Sequence, residues 1–267
     1  MVACEQLHIE ICSHRGALSQ DDSPKLLTSE GLNDLLGAGF RCADLDLTRE
    51  KESWIIGHPG DLSTLKSLGR DLSEALGFPQ LLQTWQHQNR RLLALELKAE
   101  PVTATELEEL LEQLTAQRLP NGSVGVWYLP QELGLFEQVH RDRYPGLLGI
   151  MAMFDRPWRG ADVGSKESLD AAARAGIQVL GMSIRLSSEL LSEASRRKFL
   201  VVAFGVNSEE DLLKAAQSNV HLALSDNPLE IRSKLAQLKS PRGKQEAQVG
   251  ALTVTLHGYR GYGWPHW

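Results

Sequence analysis

An excess of positive charge is missing from this sequence: 28 Lys and Arg stand against 34 Asp and Glu, a formal net charge of −6. Without a global positive field nothing holds a nucleic-acid backbone, so nucleic acid is not an expected partner. Long apolar runs are missing too. The longest nearly unbroken one, residues 145–154, falls short of the roughly 18–20 residues that a transmembrane helix requires. A signal peptide needs a basic start and an uninterrupted apolar stretch, whereas the opening MVACEQLHIEICSHRG carries Glu5 and Glu10. A cytoplasmic protein is therefore expected, unless a leader has been trimmed. Cysteine is scarce: Cys4, Cys12 and Cys42 are odd in number, show neither CxxC spacing nor a disulfide framework, and fit a reducing compartment. Neither GxGxxG nor GxxxxGK[ST] occurs, so no phosphate loop of those kinds opens a helix.

What is present is an ordinary globular composition, 42% hydrophobic and 23% charged over 267 residues, sufficient for one large or two small domains. Short β-rich segments alternate with helical patterns, an order that makes strands parallel because each helix returns the chain to the same end. Strands are predicted at residues 7–12, 42–47, 92–98, 124–128, 147–153, 177–182, 199–206 and 222–224. Helical patterns fill the gaps, as at residues 103–117, where Leu107, Leu110, Leu111 and Leu114 recur at three-and-four spacing. Others are predicted near 165–175, 189–197, 209–217 and 228–238. Thr103 with Glu106 reads as a capping box, and Ser208 as a cap for the helix that follows it.

Eight strand–helix pairs in about 240 residues match an α/β fold of the TIM (β/α)8 barrel type, whose chemistry lies at the C-terminal ends of the strands. Two regions break the rhythm. An insertion after the second strand, between Leu47 and Leu92, holds WIIGHPGDL and a helical stretch near residues 79–87, and is long enough to overhang the barrel mouth. A C-terminal extension begins with the linker KSPRGKQEAQVG. The domain reading is thus a barrel over 1–238, with a linker and aromatic tail over 239–267. Tyr259, Tyr262, Trp264 and Trp267 in that tail read first as a frayed terminus and second as a weak membrane contact. Trp127, Tyr128, Phe154 and Trp158 follow central strands and read as packing ahead of a substrate groove.

On a barrel, reactive residue types should gather where strands end, and here they do. The first predicted strand runs into Ser13, His14, Arg15 and Gly16; the second carries Asp44 and Asp46; the insertion holds His58; the third ends with Glu96 and Lys98. Asp44 and Asp46 are two apart and so share one side of a strand, with Glu96 placed to lie beside them. Carboxylates crowded together are costly unless a cation joins them or a proton is retained, and an oxygen set suits a hard divalent ion such as Mg²⁺ or Ca²⁺. His14 and His58 suit paired acid and base work near neutral pH. Arg15 and Lys98 offer fixed positive charge for an anionic oxygen, or simply neutralise the acids. His8, His87, His140, His221, His257 and His266 are read as structural.

These residues resemble the glycerophosphodiester phosphodiesterase family, of the phospholipase C-like phosphodiesterase superfamily. The match comprises SHRGA at 13–17, GFRCADLDLT at 39–48, IIGHPGDL at 55–62 and LELK at 95–98, with later echoes in VVAFGVNSEEDL at 201–212 and LALSDNP at 222–228. The resemblance implies a barrel hydrolase with one divalent cation, acting on a small-molecule phosphodiester or lysophospholipid to give an alcohol and a phosphomonoester. By the same resemblance His14 and His58 are the acid/base pair, Asp44, Asp46 and Glu96 the metal ligands, and Arg15 and Lys98 the phosphate contacts. There are departures. Asp44 stands where the family usually has Glu, Pro59 where an acid usually follows the second histidine, SQDDSPKLLTSEG where the segment normally reads close to PENT, and Phe204 where tryptophan is usual. Two other readings compete: a phospholipase D-like lyase of the same superfamily that yields a cyclic phosphate, and a barrel that binds without turnover.

Overall fold

A computed structural model describes residues 9–18, 27–50, 53–69, 72, 75–87, 92–98, 103–116, 124–128, 147–154 and 165–239, with 50, 124–128, 147–154 and 239 described through the backbone alone. The strands are β1 (Glu10–His14), β2 (Cys42–Glu50), β3 (Ser53–Ile56), β4 (Leu92–Leu97), β5 (Val124–Tyr128), β6 (Leu147–Phe154), β7 (Val179–Ser183), β8 (Leu200–Phe204) and β9 (Leu222–Ser225). The helices are α1 (Ser29–Gly37), α2 (Pro59–Ser67), α3 (Phe78–Trp85), α4 (Ala104–Ala116), α5 (Lys166–Arg174), α6 (Ser188–Arg196), α7 (Glu209–Gln217) and α8 (Pro228–Lys239). Strands pair in parallel in the order β1-β2-β4-β5-β6-β7-β8-β9, and β9 pairs with β1, so the ring closes. The tail from residue 240, Trp158, Cys4, His8, His140, His257 and His266 lie outside the described residues, as do the side chains of Trp127, Tyr128 and Phe154.

In several helices the sequence supplies both a buried stripe and a cap. In α4, Leu107, Leu110, Leu111 and Leu114 are buried on one face, and Thr103 and Glu106 cap each other: Thr103 N–H donates to Glu106 Oε2 at 2.8 Å, and Glu106 N–H to Thr103 Oγ1 at 3.2 Å. Ser165, Ser187 and Ser208 cap α5, α6 and α7, the last as a full capping box with Asp211. His221 accepts the Val201 N–H at Nδ1, 3.1 Å away, the structural role expected of it.

Alternation along the strands divides two cores. Ile11, Ala43, Leu45, Leu47, Leu93, Leu95 and Leu97 belong to the large cluster packed under the helices. Cys12, Cys42, Leu92, Ala94, Val179, Val202 and Leu224 form a smaller cluster of the opposite parity, inside the ring. Two residues further along, that inner parity turns polar: Cys12 leads to His14, Cys42 to Asp44 and Asp46, Ala94 to Glu96. The apolar interior is thus the floor of an ionic cavity.

One expectation is corrected. Cys12 and Cys42 form a disulfide with Cα atoms 4.8 Å apart, both nearly inaccessible, so the cysteine ground for a reducing, cytoplasmic setting falls. The pairing arises because β1 and β2 are ring neighbours, Ser13 opposite Ala43 and His14 opposite Asp44, which sets the preceding cysteines side by side. Among the described residues no helix is long and apolar enough to cross a membrane.

After its barrel portion, β2 runs on to Glu50 and turns back as antiparallel β3, with Leu47 opposite Ile56 and Glu50 opposite Ser53. Gly57 ends the hairpin with φ +153°, where an added Cβ would lie 3.0 Å from Leu62 Cδ2, and its N–H donates to the Asp46 carbonyl at 2.9 Å. Thr48 Oγ1 donates to the Gly57 carbonyl at 2.6 Å. These bonds lead the chain back to His58 beside Asp46 and Leu47, where the barrel portion of β2 ends.

Candidate active site

Each site residue predicted from the sequence falls at the C-terminal mouth of the ring. His14 ends β1; Asp44 and Asp46 lie on β2 in register with Ala94 and Glu96 of β4; Lys98 follows β4, and His58 follows β3. Asp44, Asp46 and Glu96 are all buried, which a carboxylate tolerates only with partners. Lys98 pairs with Glu96, and its Nζ lies 3.4 Å from Asp46 Oδ1. Arg15 Nε lies 3.1 Å from Asp46 Oδ2. The Asp46 contacts are ion pairs without hydrogen-bond alignment, since neither of its oxygens has a hydrogen-bond partner. Arg15 reaches Asp46 from a left-handed backbone, φ +55°, and Gly16 continues the turn at φ +74°. A Cβ on Gly16 would lie 3.1 Å from Leu45 and 3.2 Å from Leu27, so the turn after β1 requires glycine there.

His14 sits between acids on both sides of its ring. Nδ1 is 2.5 Å from Asp226 Oδ1, and Nε2 is 3.8 Å from Asp44 Oδ2. Burial pulls the His14 pKa down, but the bond to Asp226 and the charges of Asp44, Asp226 and Asp46 outweigh it and leave the ring above its ordinary value. His58 is held differently: as the N-cap of α2 it accepts the Gly60 N–H at Nδ1, 3.2 Å away. Its pKa is lowered, by burial first and by Arg15 and Lys98 next, against the pull of Asp46 and Asp61. The two imidazoles are thus shifted in opposite directions.

Burial is also the largest influence on the acids. Asp44 is pushed up to about 8 by burial, against the His14 charge and with Glu96 and Asp46 adding repulsion. Glu96 is raised by burial against the attraction of Lys98. Lys98, which burial would lower, is raised by Asp46 and Glu96.

The residues present fit a divalent cation. Ligand atoms of His14, Asp44 and Glu96 lie within 4.8 Å of one another. Asp44 Oδ1 is buried with no hydrogen-bond partner, and an unsatisfied buried carboxylate oxygen is what a hard ion would relieve. Asp46, expected as a ligand beside Asp44 and Glu96, stands outside that set and faces Arg15 and Lys98 instead.

Sequence reasoning misses Asp226 and Asn207. Asp226 follows β9 and Asn207 follows β8; Asn207 Nδ2 donates to Asp226 Oδ2 at 2.6 Å. Their signal lies in the segments VVAFGVNSEEDL and LALSDNP, which carry no cluster of reactive residue types next to the others.

No family model and no curated protein sequence matches the chain. Solved structures do. A phosphodiesterase from Oleispira antarctica in complex with the product sn-glycerol-3-phosphate is 15% identical, with TM-score 0.62 over 85% of this chain and 96% of its own. A glycerophosphodiester phosphodiesterase from Parabacteroides distasonis is 11% identical, with TM-score 0.66 over 88% of this chain and 100% of its own. One from Thermotoga maritima is 15% identical, with TM-score 0.59 over 85% and 98%. The chain therefore has the fold of glycerophosphodiester phosphodiesterases.

Proposed function

We propose that the protein is a phosphoric diester hydrolase that converts glycerophosphodiesters, or a related lysophospholipid, to an alcohol and a phosphomonoester. The observation that carries this reading is the convergence of His14, Asp44 and Glu96, with ligand atoms within 4.8 Å, at one barrel mouth. Asp44 and Glu96, with Asp46 beside them, would hold one Mg²⁺ or Ca²⁺, and a bound ion would polarise the phosphoryl oxygen. Arg15 and Lys98 supply positive charge for the remaining phosphate oxygens; both already lie against Asp46. His14 and His58 exchange the protons of the attacking hydroxyl or water and of the leaving alcohol. His14 does so at Nε2, the nitrogen that its bond to Asp226 leaves facing the acids. His58 does so at Nε2 as well, since Gly60 occupies its Nδ1. The working unit is residues 1–238, with 239–267 as an appended segment.

Two substitutions test the reading. His14→Ala and His58→Ala should each lower turnover of a glycerophosphodiester by about 10²–10⁴-fold while circular dichroism stays as in the wild type. Unchanged turnover in both variants ends the assignment. Phosphorus NMR of the products separates an open phosphomonoester from the cyclic phosphate of a lyase.

A further inference from the structure

We infer that Asp226 is a positioning residue for His14, held in place by Asn207, and that the pair fixes which nitrogen of His14 faces the cavity. The inference deepens the hydrolase reading and rests on it for its catalytic consequence. Three neighbouring ring strands deliver the parts. β1 ends at His14, β9 leads into Asp226, and β8 leads into Asn207; Ser13 and Ser225 are register partners across β1 and β9. Asp226 Oδ1 is 2.5 Å from His14 Nδ1, and Asp226 Oδ2 accepts the Asn207 side-chain amide at 2.6 Å, so each carboxylate oxygen has a bond of its own.

Asn207 is itself immobilised. Its Oδ1 accepts the Asp226 N–H at 2.9 Å and the Ser225 hydroxyl at 3.0 Å, and its own N–H donates to Asp211 Oδ2 at 3.2 Å, inside the capping box of α7. Ser225 in turn accepts the Asn227 N–H at 3.0 Å. These bonds tie the segment after β8 to the end of β9 and to the cap of α7. At the mouth of the ring they lead to the Asp226 oxygen on His14. A carboxylate accepts and cannot donate, so it selects the Nδ1–H form of a neutral imidazole and leaves the Nε2 lone pair towards Asp44. Left to itself a neutral histidine favours the opposite tautomer, with the proton on Nε2 and the Nδ1 lone pair turned towards Asp226 and away from Asp44. Asp226 therefore decides which nitrogen of His14 presents its lone pair to the cavity.

The test reads the ring directly. In protein labelled with ¹⁵N-histidine, free of divalent ion and above the pH at which His14 titrates, the His14 nitrogens should report Nδ1–H in the wild type. In Asp226→Asn they should shift towards Nε2–H. With glycerophosphocholine as probe and Mg²⁺ or Ca²⁺ added, Asp226→Asn should lower kcat by about 100-fold or more with KM within about threefold, since a positioning role acts on the proton step. Asn207→Ala should give a smaller loss of the same kind. An Nε2–H signal for His14 in the wild type overturns the inference, and that measurement needs neither a variant that folds nor a substrate that turns over. An unchanged kcat in a folded Asp226→Asn also overturns it. Absence of turnover in the wild type, with the Nδ1–H signal intact, instead sinks the hydrolase reading and leaves the pair standing.

Discussion

Asp44 is the residue whose state depends most on what shares its cavity. A carboxyl of its type ordinarily titrates near 3.8, and here burial lifts it to about 8. Between those values the folded chain binds more protons than the unfolded one, so without a divalent ion stability should fall as pH rises across that window. A cation favours the carboxylate and should flatten the fall. Melting temperatures at pH 5 and pH 8, in chelator and in millimolar Mg²⁺ or Ca²⁺, check this: the lower value is expected at pH 8 in chelator, with the gap narrowed by the ion. Asp44→Asn should abolish both the slope attributable to this group and the gain from the ion. A melting temperature in chelator that is higher at pH 8 than at pH 5 speaks against a strained, cation-seeking carboxyl. At this scale the sequence was readable where chemistry clustered locally, as in SHRG or DLD. It was opaque for Asp226, because 212 residues separate it from His14 and only ring closure brings the two together.

β1 and β2 carry most of the site between them, His14 and Arg15 from one and Asp44 and Asp46 from the other. Beneath those residues the Cys12–Cys42 bond ties the strands together. The cross-link spans a sequence separation of 30, for which the chain-entropy relation gives a stabilisation of about 3–4 kcal/mol. Replacing both cysteines by alanine should lower the urea midpoint accordingly, and a denaturant should unfold the wild type sooner in excess dithiothreitol than without it. Identical midpoints for the wild type and the double variant would remove the cross-link from the forces that hold the two strands. The strand and helix pattern was visible because buried leucines repeat at helical spacing in α4 and inner and outer positions alternate in β4. The disulfide was not visible: two cysteines with no local motif become neighbours only because their strands do. Helix α2 was equally hidden, its nine residues burying only Leu62 and Leu65, although its cap fixes the orientation of His58.

At the scale of the molecule, closure of eight parallel strands converts residues far apart in the chain into one mouth. Alternation predicted the barrel, and barrel geometry predicted that reactive side chains would meet at the strand ends; the distances among His14, Asp44, Glu96, Asp46, Arg15 and Lys98 agree with that meeting. What alternation could not supply was the partition of the acids, with Asp44 and Glu96 beside His14 while Asp46 stands between Arg15 and Lys98. That partition depends on side-chain directions across strands, not on spacing along one of them. The central claim, a cation-assisted hydrolysis of a phosphodiester at this mouth, meets its most direct test in one assay. The wild-type protein is incubated with glycerophosphocholine, glycerophosphoethanolamine, glycerophosphoinositol and lysophospholipids, with Mg²⁺ or Ca²⁺ and then with chelator, and phosphomonoester release is followed by phosphorus NMR. Release from at least one of these diesters that stops on chelation is the predicted result; no release from any of them with either ion would contradict it.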